Sequence, residues 1–205
     1  MKRLAAAAVL AALFAVPALA QNQPQPEGTP TRIRGTVDKL DGQTLTVKSR
    51  DGQSLTRALA PNYTVSGVAK KSLADIKQGD YVGAASMKGT DGKLHALEVL
   101  IFPEAMKGTG EGHRPWDLQP ESQMTNATVS GIAAAAGGQT LKLTHKDGET
   151  EVIVPPDVPI VTFVAGDPSL LKPGAFVYVG ALKKPDGSLT AARVTAEKDG
   201  VKPPM

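Results

Sequence analysis

Gly42-Gln-Thr-Leu-Thr-Val-Lys-Ser-Arg-Asp-Gly-Gln53 returns as Gly138-Gln-Thr-Leu-Lys-Leu-Thr-His-Lys-Asp-Gly-Glu149, 96 residues later, with six of twelve positions identical. Leu45 and Val47 alternate with Thr44, Thr46 and Lys48. That period of two turns one face of a strand inward and leaves the other in water. Asp51-Gly52 and Asp147-Gly148 follow, the strongest short signal for folding one strand back on the next. The stretch reads as a β-hairpin, and the chain carries it twice.

The match extends outward. At the same offset Gly35 meets Gly131. At an offset of 95, Ile76-Lys-Gln-Gly79 meets Leu171-Lys-Pro-Gly174, Tyr81-Val82 meets Phe176-Val177, and Asp91-Gly92 meets Asp186-Gly187. Leu94-x-Ala96-Leu97-x-Val99 meets Leu189-x-Ala191-Ala192-x-Val194. In both, the alternation slips by one residue at the same place, which predicts a β-bulge in each copy. One single-residue gap over about 70 residues marks a tandem repeat. Two copies imply two like domains rather than a solenoid.

Each copy has a longer connection after its third strand. Ser72-Leu-Ala-Asp75 has the form of a capping box, and Asp167-Pro168 supplies an N-cap with proline behind it. Each copy therefore reads β-β-β-short helix-β-β, the order of an OB-type barrel. An SH3-like barrel or a small open sandwich fits the same strand count. The expected architecture is all-β: two tandem five-stranded OB-like small barrels with one short helix per module. The modules are residues 32–102 and 126–197, joined by a Gly/Pro-rich linker at 103–125 and followed by a tail at 198–205.

The pattern Gly-x-Val, Gly-Gln-Thr-Leu, Asp-Gly, Leu-x-x-Gly-x-x-Val, Asp-Gly-x-Leu-x-Ala resembles an uncharacterised family of exported bacterial tandem OB-like β modules, a domain of unknown function. The linker block Glu111-Gly-His-Arg-Pro-Trp-Asp-Leu118 with Met124-Thr-Asn-Ala-Thr128 resembles a block of the same family. The resemblance covers roughly residues 32 to 197. It carries no catalytic residues. Similar sequences are labelled as metal-transport permeases, and the mature chain has no apolar run long enough to span a membrane.

The N-terminus has its own reading. Lys2 and Arg3 precede an almost wholly apolar stretch from Leu4 to Leu19, and Ala18-Leu19-Ala20 offers small residues where a signal peptidase cuts. This is a secretory signal peptide over residues 1–20, cleaved after Ala20. Periplasm or secretion follows. The proline-rich residues 21–31 read as a disordered or extended leader. Cleavage takes the 23 Lys and Arg to 21, against 20 Asp and Glu, a net of +1. That balance, with seven aromatics left, argues against a nucleic-acid partner. The absence of Cys excludes thiol chemistry and Cys-ligated metals.

No nucleophile elbow, phosphate loop or acid–base constellation emerges, which points away from an enzyme. The four Asp of the Asp-Gly pairs read as turn residues. His95 and His145 face Thr190 and Ser49 in the other copy and read as exposed strand residues. The unduplicated linker is the place for function. Trp116, Arg114 and Asp117 are its candidates for a ligand or partner, either a small molecule or an envelope protein. Glu111, His113 and Asp117 are its candidates for a metal, zinc or copper, against the plainer reading of a polar linker without cofactor. The sole Trp should anchor the linker on one module or between both, with its N–H bonded. The function expected is an exported non-enzymatic binding or scaffolding protein, with a periplasmic metal-binding accessory protein as the alternative.

Overall fold

A computed structural model describes residues 28–186 and 188–204. The expected signal peptide and most of the leader, residues 1–27, lie outside the described residues, as do Gly187 and Met205. The described chain is all-β. The first copy provides β1 (Thr29–Asp41), β2 (Thr44–Ser49), β3 (Ser54–Lys71), β4 (Tyr81–Lys88) and β5 (Leu94–Ile101). A short β6 (Gly112–Pro115) lies between the copies. The second copy provides β7 (Gln123–Ala135), β8 (Gly138–His145), β9 (Gly148–Val154), β10 (Ile160–Ala165), β11 (Phe176–Lys183) and β12 (Leu189–Ala196).

Local signals act as expected. The repeated stretch forms hairpins β2–β3 and β8–β9. Ala85 pairs with Glu98 and Ser86 with Ala96, leaving Leu97 as an extra residue. Gly180 pairs with Arg193 and Ala181 with Ala191, leaving Ala192 extra in the same way. These are the two bulges the alternation predicts. The expected helices shrink to single 3-10 turns, Leu73–Asp75 and Pro168–Leu170. Their caps form nonetheless. The Asp75 carboxylate accepts from the Ser72 amide at 2.8 Å, and that of Asp167 from the Ser169 amide at 2.8 Å. Too few residues remain before the next strand for a longer helix.

Strand pairing corrects the two-module picture. β1, β2 and β3 close a five-stranded barrel with β11 and β12 of the other copy: β1 pairs with β11, and β12 pairs in parallel with β3. β7, β8 and β9 form a second ring with β4 and β5 of the first copy, closed by Leu94–Val152 and His95–Ile153. So residues 32–102 and 126–197 do not each close on themselves. Both cores mix the halves. Ile33, Leu45 and Val47 pack with Val177, Val179 and Val194. Val82 and Val99 pack with Leu141, Leu143 and Val152. β3 links the two rings: its Ser54–Ala58 end pairs with β2 in the first barrel, and its Ser66–Lys71 end pairs with β10 of the second copy.

The rings meet where β3 runs antiparallel to β10. Val68 faces Phe163, its own counterpart 95 residues on, and Ser66–Ala165 and Lys70–Val161 lie symmetrically about that pair. The molecule is thus an internal pseudo-dimer with a two-fold axis through Val68 and Phe163.

The end of the expected leader is extended strand: Thr29, Pro30 and Thr31 pair with Lys183, Leu182 and Ala181 of β11. One equivalence of the repeat is corrected. Gly35 does not correspond to Gly131. Val177 pairs with Gly35 where its counterpart Val82 pairs with Ala127, an offset of 92, because the β7–β8 hairpin extends two residues further on each arm. In the tail at 198–205, Lys198 bridges Val201, and Val201 packs on the junction between the rings.

Candidate functional site

The junction has a core of its own. Val68, Leu100 and Val161 are buried there, with Phe102, Phe163 and Val201 against them. Beside this cluster opens a groove of about 520 Å³. It is lined by Thr64 and Ser66 of β3, Phe163 of β10 and Thr195 of β12, with Tyr178 and Arg193. Phe102 lies 5.3 Å from Tyr81 and 6.0 Å from Phe163, ring centre to ring centre. The Ser66 and Thr195 hydroxyls share a hydrogen bond of 3.2 Å. Burial pushes the Tyr178 phenol above its ordinary range, by more than Arg32 and Arg34 pull it down, so it stays neutral in neutral water.

The connection from β5 to β7 forms a strap along this groove. Ala105, Met106 and Thr109 contribute to the groove's rim. β6 then pairs with β7, from Gly112–Asn126 to Pro115–Gln123. The expected linker at 103–125 is therefore partly strand, and its last residues belong to β7. Beyond β6 the strap closes on itself: the Trp116 amide donates to the Ser122 carbonyl at 2.8 Å, and the Ser122 hydroxyl donates to the Trp116 carbonyl at 3.0 Å. The tip reaches the first barrel.

There Trp116 and Asp117 meet the first barrel. The Arg32 guanidinium sits 4.1 Å from the Trp116 ring, with Arg114 at 5.6 Å and Arg34 at 5.7 Å. Arg34 donates to the Asp117 carboxylate at 2.9 Å, and Arg32 lies 3.9 Å from it. Burial alone would raise the Asp117 pKa, but the hydrogen bond and charge of Arg34, with Arg32 behind, bring it below the ordinary carboxylate value. Arg114 also donates to the Gly110 carbonyl at 2.7 Å. Trp116 is half-buried, and its indole N–H has no hydrogen-bond partner among the described residues, contrary to the sequence expectation. Trp116, Arg114 and Asp117 thus hold the strap in place.

The proposed metal set does not assemble. Asp117 is taken by Arg34. The His113 ring hydrogen-bonds the Thr125 hydroxyl at 2.8 Å and stacks on His145 with centres 6.4 Å apart. Burial lowers the His113 pKa, and His145 and Arg114 add to that. Glu111 is exposed. Among the described residues no three His, Asp or Glu side chains lie close enough to hold a metal ion. His145 itself is buried, not exposed: it shares the inward phase of Leu141 and Leu143 on β8. The turn reading of the Asp-Gly pairs stands at Asp91 and Asp186, which accept from the amides of Lys93 and Ser188.

Sequence reasoning missed the groove residues. The signal lay in the repeat comparison. Phe163 stands where the first copy has Val68, and Ser66 and Thr195 stand where the partners are Val161 and Leu100. Those differences matter only once β3 is seen beside β10 and β12.

No protein-family model matches the chain, and no curated protein or solved structure matches it.

Proposed function

We propose that this chain is an exported, non-enzymatic binding protein of the periplasm or cell envelope, and that its ligand is a small molecule held in the groove at the seam of the two rings. The observation that carries this is the groove itself. Its roughly 520 Å³ falls within the usual range for small-molecule sites. It combines an aromatic wall with a few convergent hydroxyls, the composition that holds a ligand by area and orients it by hydrogen bonds. We read both rings as OB-like. Each follows the ring order first, second, third, fifth, fourth strand of a repeat, and binding in a groove beside such barrels is a frequent use of the fold. Among the described residues no helix is long and apolar enough to cross a membrane.

The test uses the internal pseudo-symmetry. Ser66→Val with Thr195→Leu installs the residues found at the equivalent Val161 and Leu100. This double variant is expected to fold at least as stably as the parent. A panel of small molecules should raise the melting temperature of the parent, because a ligand specific to the native state stabilises it. The double variant should lose that response. A response that survives in the double variant refutes the site. Export is tested separately: chain recovered from the envelope should begin at Gln21, and chain still beginning at Met1 overturns it.

A further inference from the structure

The two sides of the seam are related by the pseudo-two-fold axis, so each side serves as a control for the other. On one side β5 pairs with β10, and Leu100 faces Val161. On the other β12 pairs with β3, and Thr195 faces Ser66 in the identical register. The apolar pair is buried in the junction core with Val68 and Val201, where Leu100 also borders the groove and Val161 borders a second cavity of about 790 Å³ beside Glu98. The hydroxyl pair lines the groove. Each hydroxyl has one donor and two acceptor positions, and their single shared bond leaves capacity for a ligand.

Charge differs between the sides as well. The counterpart of Arg193 is Glu98, which is 4% exposed on the far side. Arg193 is exposed and is the one charged side chain among the groove's lining residues. Among the described residues no carboxylate forms an ion pair with it. Behind the wall, the Arg34 guanidinium lies 5.3 Å from the Tyr178 ring, its charge matched by Asp117 at 2.9 Å.

Resting on the reading of the groove as the ligand site, we propose that it selects an organic anion: a hydrocarbon or aryl body ending in a carboxylate or sulfonate. The body lies along Leu100, Phe102, Phe163 and Met106. The acidic end meets the Arg193 guanidinium, and whichever of the Ser66 and Thr195 hydroxyls accepts in their shared bond keeps its own hydrogen to donate to it. A cationic ligand would meet an unpaired guanidinium in its place. A neutral one would leave the strongest donor of the groove unused.

The probes are 1-anilinonaphthalene-8-sulfonate, decanoate and decanol, titrated against the mature chain. The fluorescent sulfonate is expected to bind at one site per chain and to be displaced by decanoate more strongly than by decanol. Arg193→Gln should weaken decanoate about tenfold, the scale of one charge-assisted hydrogen bond, and leave decanol and the melting temperature unchanged. Equal affinity for decanoate and decanol, or equal loss of both in Arg193→Gln, overturns anion selection while the groove remains the site. Failure of all three probes to bind, or binding that persists in Ser66→Val with Thr195→Leu, overturns both.

Discussion

Arg34 touches three things at once: the Asp117 carboxylate, the Trp116 ring and the Tyr178 ring of the groove wall. Its side chain is 5% exposed, so its partners are fixed by burial as much as by charge. The strap is therefore anchored through the same residue that backs the groove. Trp116→Ala removes a half-buried indole and its cation–π contact with Arg32, and should cost about 2 kcal/mol in urea denaturation. A cost near zero would mean that the indole carries no anchoring. Acid should release the anchor. The folded pKa of Asp117 lies below the ordinary 3.8, so its contribution is present above that value and fades as pH falls through the lowered one. Trp116 emission should shift to the red as pH drops below about 4, ahead of global unfolding, and Asp117→Asn should show the shift already at neutral pH. If Asp117→Asn keeps the parent's acid profile, the ion pair does not hold the strap. Trp116, Arg114 and Asp117 were legible as a cluster because they are neighbours in sequence. Arg32 and Arg34 were not, since their approach depends on tertiary pairing across more than eighty residues.

The hairpins, the bulges at Leu97 and Ala192 and the caps at Ser72 and Asp167 were legible from local pattern, because each is set by residues a few positions apart. Hairpin length was not. The run Ala133-Ala-Ala-Ala136 has no strong period, and only pairing reveals that it lengthens β7 and β8. The consequence is testable at two glycines the sequence equates. A methyl on Gly35 would run into the Lys48 carbonyl, which is backbone and cannot swing aside. A methyl on Gly131 would meet only the Lys142 Cβ at 3.5 Å, an ordinary contact. Gly35→Ala should cost about 2 kcal/mol or more, an overpacking penalty. Gly131→Ala should stay within about 0.5 kcal/mol of the parent. Equal costs in urea denaturation would contradict the shifted register.

At the scale of the whole molecule the strand inventory was legible and the partners were not. The two copies present nearly the same edges, so β1 can accept β4 or β11 with similar patterns of apolar residues. Sequence periodicity cannot choose between them, and only the pairing of β1 with β11 shows which edge is taken. It follows that residues 21–106 and 107–205, expressed separately, should each fail to give a cooperative melting transition. Mixed, they should recover one, since each supplies the strands the other lacks. Independent transitions of undiminished stability in both fragments would argue for self-contained modules.

The exchange of strands creates the seam, and the seam creates the groove, so the pairing of β1 is the point to measure. Paired residues on adjacent strands have Cα atoms about 4.5–5.5 Å apart, within reach of a disulfide. The chain has no cysteine of its own, so an introduced pair reports without background. Thr31 faces Ala181, whose counterpart in the first copy is Ser86. Thr31→Cys with Ala181→Cys should oxidise to an intramolecular disulfide in the monomer, and Thr31→Cys with Ser86→Cys should not. A disulfide in the second variant and none in the first would restore two self-closing modules and remove the seam on which the account rests.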